Sequence, residues 1–134
     1  MRITVDTNFL ISATQWDYSV AHKLLKKLIE NDVKIFSTKE ILDEFAEVLK
    51  RDFRYHKKEV EKIIETLMQV LTIISTKIKV DIVKDDPDDN KVIECALESS
   101  SEYILTYDKH LLRLIKYEQV KIIRPEEAKD IFAK

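Results

Sequence analysis

The 134 residues include no glycine and only two prolines, Pro87 and Pro125. Glycine is the default residue where a backbone turns left-handed or passes close to a phosphate. Its absence excludes the glycine-rich loops that cradle nucleotide phosphates, and with them P-loop and dinucleotide-binding readings. Turns have to use Asn and Asp instead, as in Glu30-Asn31-Asp32. A glycine-free chain rich in Lys, Glu and Ile also suits a thermophile.

The length predicts one domain over residues 1–134. Hydrophobic residues make up 45% and charged residues 36%, which excludes a disordered tail and a membrane protein. No apolar run reaches the ~18–20 residues that span a bilayer. The opening Met1-Arg2-Ile3-Thr4-Val5-Asp6 meets an acid too early for a secretory signal. Cys95 stands alone, so neither an internal disulfide nor a cysteine-rich zinc site is expected. A cytoplasmic protein is the expectation. The net charge of −2 does not announce a nucleic-acid binder, nor does it exclude one, because local distribution matters more than the sum.

Strand-like and helix-like segments alternate. Ile3-Thr4-Val5 is a short β-prone run. Residues 17–30 read as a helix with Val20, Leu24, Leu25, Leu28 and Ile29 on one face. Val33 to Phe36 is a second strand, and Ser37-Thr38-Lys39-Glu40 matches a capping box opening a helix. That helix carries Ile41, Phe45, Val48 and Leu49 inward. Residues 57–71 form another amphipathic helix through Val60, Ile63, Ile64, Leu67 and Leu71. Residues 72–83 are β-branched and read as an irregular strand. Asp86 and Pro87 fit N-cap and first helical positions of a helix through Val92, Ile93, Ala96 and Leu97. A strand at 103–106, a short helix at 111–114, a strand at 120–123 and a helix opened by Arg124-Pro125-Glu126-Glu127 complete the chain. This alternation predicts an α/β fold, a three-layer α/β/α sandwich around a parallel sheet. Ligands collect at the carboxyl ends of strands in such sheets.

Four acids fall where a bland surface role does not fully account for them. Asp6 closes an apolar strand, with Asn8 two positions on; it also reads as a turn or helix N-cap. Glu44 lies three residues after Ile41 and four before Val48, on or beside the apolar face, or snorkelling outward from its boundary. Asp89 precedes Val92 and Ile93 by three and four residues and shares the inward face of its helix, near the N-terminus where the dipole tolerates charge. Asp86 and Asp88 fit as cap and second-position acids, and the whole 85–89 run also reads as caps. Asp108 closes a second apolar strand after Thr106 and also reads as a cap. Carboxylates gathered in a low-dielectric cleft repel one another, so such a cluster needs bound cations or raised pKa values. All-oxygen ligands without His or Cys favour Mg²⁺ or Mn²⁺, and the chemistry that most often uses such a rim is phosphoryl transfer.

These segments resemble the PIN domain, a Mg²⁺-dependent ribonuclease fold. Val5-Asp6-Thr7-Asn8-Phe9-Leu10-Ile11-Ser12 is similar to that family's first acidic motif, and Ser37 to Glu44 to the segment carrying its glutamate. Asp86-Pro87-Asp88-Asp89-Asn90, followed by Ala96, resembles the third motif. Leu105-Thr106-Tyr107-Asp108-Lys109-His110-Leu111-Leu112 resembles the fourth. The similarity is greatest to VapC-like toxins. The resemblance implies that Asp6, Glu44, Asp89 and Asp108 hold one or two Mg²⁺ or Mn²⁺ ions, supported by Asn8 and Thr106. It implies a metal-dependent endoribonuclease hydrolysing RNA phosphodiesters, a homodimer, and a cognate antitoxin that blocks the pocket. Tyr107 departs from the small residue common at that position, and its ring is expected either to restrict the pocket or to stack on a base. An RNA-processing PIN nuclease and a non-catalytic, receiver-like Mg²⁺-binding module are the alternatives.

Lys50, Arg51, Arg54, Lys57 and Lys58, interleaved with Phe53, Tyr55 and His56, are the densest basic stretch. Lys50, Arg51 and Arg54 are candidate RNA contacts, although a solvated helix junction over a buried Phe53 is the favoured reading. Phe9, Trp16 and Tyr18 read as core in preference to a dimer face. His22, His56 and His110 lack ligand spacing, and Cys95 reads as a buried small residue.

Overall fold

The computed structural model describes residues 1–132. Its strands are β1 (Arg2–Val5), β2 (Lys34–Thr38), β3 (Leu71–Ile74), β4 (Tyr103–Leu105), β5 (Lys116–Tyr117) and β6 (Val120–Ile123). Its helices are α1 (Thr7–Gln15), α2 (Val20–Glu30), α3 (Lys39–Asp52), α4 (Lys57–Met68), α5 (Asn90–Glu98), α6 (Lys109–Leu112) and α7 (Pro125–Phe132), with a single 3₁₀ turn at Pro87–Asp89. The six strands form one sheet in the order β3-β2-β1-β4-β6-β5. Every pairing is parallel except that of β5 with β6, so the expected parallel sheet gains one antiparallel edge.

Ile3, Thr4 and Val5 are all buried, as are Ile35, Phe36, Ser37 and Thr38. Successive residues of a strand face opposite ways, so both faces of the sheet are covered by helices. Thr4 shows what fastens one face. Its hydroxyl meets Ser101 Oγ at 2.8 Å and donates to Cys95 Sγ at 3.8 Å, tying α5 and the loop after it to β1. Cys95 is fully buried, and burial pushes its thiol up to about 12. Phe9, Phe45, Leu49, Ile93 and Leu105 are among the fully buried side chains that fill the core.

Several sequence expectations shift. The segment between Asp6 and Trp16 is helix α1, which the pattern did not reveal. Thr7, Phe9, Leu10, Ile11 and Ala13 are all buried, so burial extends around most of the helix while polar residues are interspersed, and no clean apolar stripe marks it. The predicted helix over 17–30 begins at Val20, capped by Ser19, whose Oγ accepts from the His22 N–H at 3.0 Å. The helix over 57–71 stops at Met68, and Leu71 instead opens β3, which pairs with β2. The irregular strand over 72–83 is regular only to Ile74. The short helix lies at 109–112 because Asp108 caps it. The expected capping box from Ser37 to Glu40 does not form: Thr38 is the N-cap and accepts from the Ile41 N–H at 3.2 Å, the third helical position is then Ile41, which has no carboxylate to reach back, and Ser37 stays in β2. Trp16 and Tyr18 are 53% and 87% exposed, so only Phe9 of those three aromatics is core. Trp16 packs edge-on against Phe53 at 5.7 Å, and Tyr55 stacks on Phe53 at 6.2 Å.

Without glycine, left-handed turns fall on Asp32, Arg54, Ser100, Ile115 and Glu118. The Asp32 turn is the one expected at 30–32. Among the described residues, no helix is long and apolar enough to cross a membrane.

Candidate metal centre

The chain leaves β1 toward β2 and β3 on one side and returns to β4 on the other. The carboxyl ends of β1 and β4 therefore flank the point where strand order reverses, the usual ligand crevice of such sheets. Asp6 stands at the end of β1. Its Oδ1 accepts from the Phe9 N–H at 2.9 Å, which caps α1, and its Oδ2 accepts from the Thr106 hydroxyl. Thr106 Oγ1 in turn accepts from the Asp108 N–H at 2.9 Å, and Asp108 Oδ1 accepts from the His110 N–H at 2.8 Å, capping α6. Thr106 thus bridges two acids that the sequence puts 102 positions apart (6 and 108). For Asp6 the cap and site readings are both realised by one carboxylate. Burial raises its pKa from 3.8 to about 6, with Thr106 and the Phe9 N–H pulling the other way.

Asp89 ends the 3₁₀ turn and is 9% exposed. Its Oδ2 is buried and has no hydrogen-bond partner in the protein. Burial, then the neighbouring Asp108 carboxyl and the charges of Asp86 and Asp6, push its pKa up from 3.8 to about 8. One carboxylate oxygen from each of Asp86, Asp89 and Asp108 lies within 4.8 Å of the others. Asp86 does occupy the N-cap position before Pro87, but its side chain makes no capping bond. Sequence reading gave it only the cap role. Asp86 has a non-helical backbone before the turn, so helical spacing gives no signal for its place in the cluster.

Glu44, an exposed residue of α3, stands on the wall of the same cavity. Partial burial raises its pKa, as do the charges of Asp88 and Asp86, while the Thr7 hydroxyl and Lys91 favour the charged form. The cavity measures about 130 Å³ and is lined by Asp6, Asn8, Glu40, Glu44, Asp86, Asp88, Asp89 and Asp108, with Lys91 the one cation in the lining. Asn8 is exposed at its rim. The structure therefore brings together all four expected acids and adds Asp86. The donors are all oxygens, and the orphaned Asp89 Oδ2 lies among charges that repel. That set suits a hard divalent cation. A larger groove of about 420 Å³ between α1, α2 and α4 has a mostly apolar lining and no carboxylate.

The basic stretch divides. Arg51 pairs with Asp52 at 2.9 Å and lines a groove of about 440 Å³ that shares Glu40, Glu44, Asp88 and Lys91 with the acidic cavity. Lys50 and Arg54 are exposed and line neither space. Tyr107 turns away from the acids: its hydroxyl donates to Glu126 Oε1 on α7 at 2.6 Å, and its ring does not line the pocket. His22 Nδ1 meets the Ala13 carbonyl at 2.8 Å, and His56 sits at the N-cap of α4. His110 Nδ1 lies 3.9 Å from Asp85.

Comparison with known proteins adds three findings. A family model described as "PIN domain" matches residues 2–110. The uncharacterized protein MJ1680 of Methanocaldococcus jannaschii is 28% identical over 118 residues, covering 85% of this chain and 75% of that protein. Solved structures share the fold at low identity. VapBC2 from Rickettsia felis, bound to a DNA fragment from its promoter, has a TM-score of 0.67 at 16% identity, over 92% of this chain and 98% of that one. VapBC-1 from nontypeable Haemophilus influenzae has a TM-score of 0.65 at 14% identity, over 94% and 99%. PAE2754 from Pyrobaculum aerophilum has a TM-score of 0.64 at 16% identity, over 99% and 96%.

Proposed function

The chain belongs to the PIN domain family, and from that premise we propose that it is a metal-dependent endoribonuclease, the toxin of a type II toxin-antitoxin pair. One observation carries the reading. Asp86, Asp89 and Asp108 offer oxygens within 4.8 Å of one another, beside a buried Asp6, and one Asp89 oxygen has no protein partner. Asp6, Glu44, Asp89 and Asp108 hold Mg²⁺ or Mn²⁺, joined by Asp86. When bound, the cation lowers the pKa of an attacking water and stabilises charge developing on the leaving oxygen of an RNA phosphodiester.

The chain's own residues do the rest. Thr106 keeps Asp6 and Asp108 at a fixed separation by bonding to both. Asn8 stands at the rim, where it can meet the substrate or an outer water. Arg51 lines the groove beside the pocket, and the exposed Lys50 and Arg54, outside that groove, are the further basic residues offered to the RNA backbone. The fold likeness to VapBC2 and VapBC-1 supports a cognate antitoxin as partner. The same proposal includes a homodimer acting in the cytoplasm.

The test is cleavage of mixed structured and single-stranded RNAs with Mn²⁺, Mg²⁺ or EDTA, comparing wild type with Asp89→Asn. The expected result is metal-dependent cleavage that the variant loses. Equal cleavage by both proteins, or cleavage that persists in EDTA, overturns the reading. Induced expression should arrest growth for wild type and not for Asp89→Asn, and growth unaffected by an active wild type points to RNA processing instead.

A further inference from the structure

After β3 ends at Ile74 the chain forms neither helix nor strand until Pro87. This strap delivers Asp86 to the acidic cluster. Holding irregular backbone in one conformation costs entropy at every residue, so the strap needs tertiary anchors. The carboxamide of Asn90 is the anchor next to the acids. Its Oδ1 accepts from the N–H groups of Ile82 at 3.0 Å and Val83 at 2.9 Å. Its Nδ2 donates to the carbonyls of Val83 at 3.2 Å and Pro87 at 3.1 Å. A carboxamide has two donors and two acceptor lone pairs, so the hydrogen-bonding capacity of this buried side chain is filled. Asp86 lies between the two anchored points, and Asp89 directly precedes Asn90.

We propose that Asn90 is a positioning residue of the metal centre: through the backbone at 82–83 and 87 it sets Asp86 and Asp89 against Asp108. It touches neither metal nor substrate. The inference rests on the nuclease reading above. Both faces of the amide are needed, because the acceptor holds the strap while the donors hold the strap and the 3₁₀ turn together. Glu98 serves as an internal comparison. It accepts from the Lys77 N–H at 2.7 Å, holding the same strap at a point farther from Asp86.

The experiment is a direct Mn²⁺ titration by calorimetry and electron paramagnetic resonance, with thermal melts of each protein. It compares wild type, Asn90→Ala, Asn90→Asp and Glu98→Gln. Loss of an outer-shell partner weakens metal binding by about 10- to 100-fold, and that is the loss expected in both Asn90 variants. Glu98→Gln should stay within about twofold of wild type. Asn90→Asp adds a carboxylate near the site, which by charge alone tightens cation binding, so weakening there reports lost position. If Asn90→Ala does not fold, Asn90→Asp decides. Wild-type affinity in the folded Asn90 variants, or equal weakening by Glu98→Gln, overturns the proposal while leaving the nuclease reading intact. A wild type that binds no Mn²⁺ overturns the nuclease reading and this inference with it.

Discussion

In metal-free protein, Asp89→Asn should stabilise the fold, and by an amount that grows with pH. The Asp89 carboxyl has a pKa of about 8 when folded, against an ordinary 3.8. Below pH ~4 the folded and unfolded states both hold the proton, and above ~8 neither does. Between those limits only the folded state is protonated, so wild-type stability falls as pH rises through the window. At about 1.4 kcal/mol per pH unit the interval corresponds to at most ~6 kcal/mol. Water at the open pocket mouth screens the charge, and about a third of that, ~2 kcal/mol, is the loss expected at pH 8. Asparagine does not titrate, and its amide can donate to the neighbouring carboxylates. The variant should therefore match wild type near pH 4 and exceed it by ~2 kcal/mol at pH 8, about 5–10 °C in melting temperature for a chain of this size. The assay is a series of thermal melts in EDTA from pH 4 to 9. Added Mn²⁺ should stabilise the wild type alone, by about 2.7 kcal/mol at a hundredfold excess over Kd, enough to cancel the difference at pH 8 and slightly reverse it. Parallel stability curves for the two proteins, or a variant less stable than wild type at pH 8, refute the reasoning.

Thr106→Val keeps the side-chain shape but leaves Asp6 Oδ2 without its hydroxyl donor and the Asp108 N–H without its acceptor. Urea denaturation should register a loss of about 2–3 kcal/mol, and NMR titration should find the Asp6 carboxyl above its wild-type value of about 6. Ile115 holds a left-handed φ of 64° while 74% exposed. Ile115→Gly removes a β-branched clash at little packing cost and should raise stability by about 1 kcal/mol; an unchanged urea midpoint would count against strain there. Tyr107→Phe loses only the bond to Glu126 on the surface. Its RNA cleavage should stay within about twofold, and a tenfold drop would return the ring to the substrate path.

Much of the acidic site is legible locally. Asp6 and Asp108 stand out because a carboxylate closes an apolar strand, and Asp89 because helical spacing aligns it with Val92 and Ile93. Asp86 is ambiguous for the same local reason. An acid before proline looks alike whether it caps a helix or faces a cluster, and only the path of the strap decides. Arg51 sits in a dense basic stretch, yet its neighbour Asp52 takes up its guanidinium. Phe53, expected to be buried, is half-buried: it packs between Trp16 and Tyr55 and against the core. Tyr107 points to α7 because Glu126 waits there, a contact that spacing does not encode.

From the sequence alone follow the alternation of elements, the covered sheet and the acids at strand ends, since side-chain periodicity and capping are set within a few residues. Tertiary structure alone decides which of those acids meet. Asp6 and Thr106 are 100 residues apart, and they touch because β4 returns beside β1 instead of extending the sheet beyond β3. Strand order of that kind depends on the packing of the whole core. Asn90 meets partners only three to eight residues away, yet its four bonds form only when the strap lies along α5.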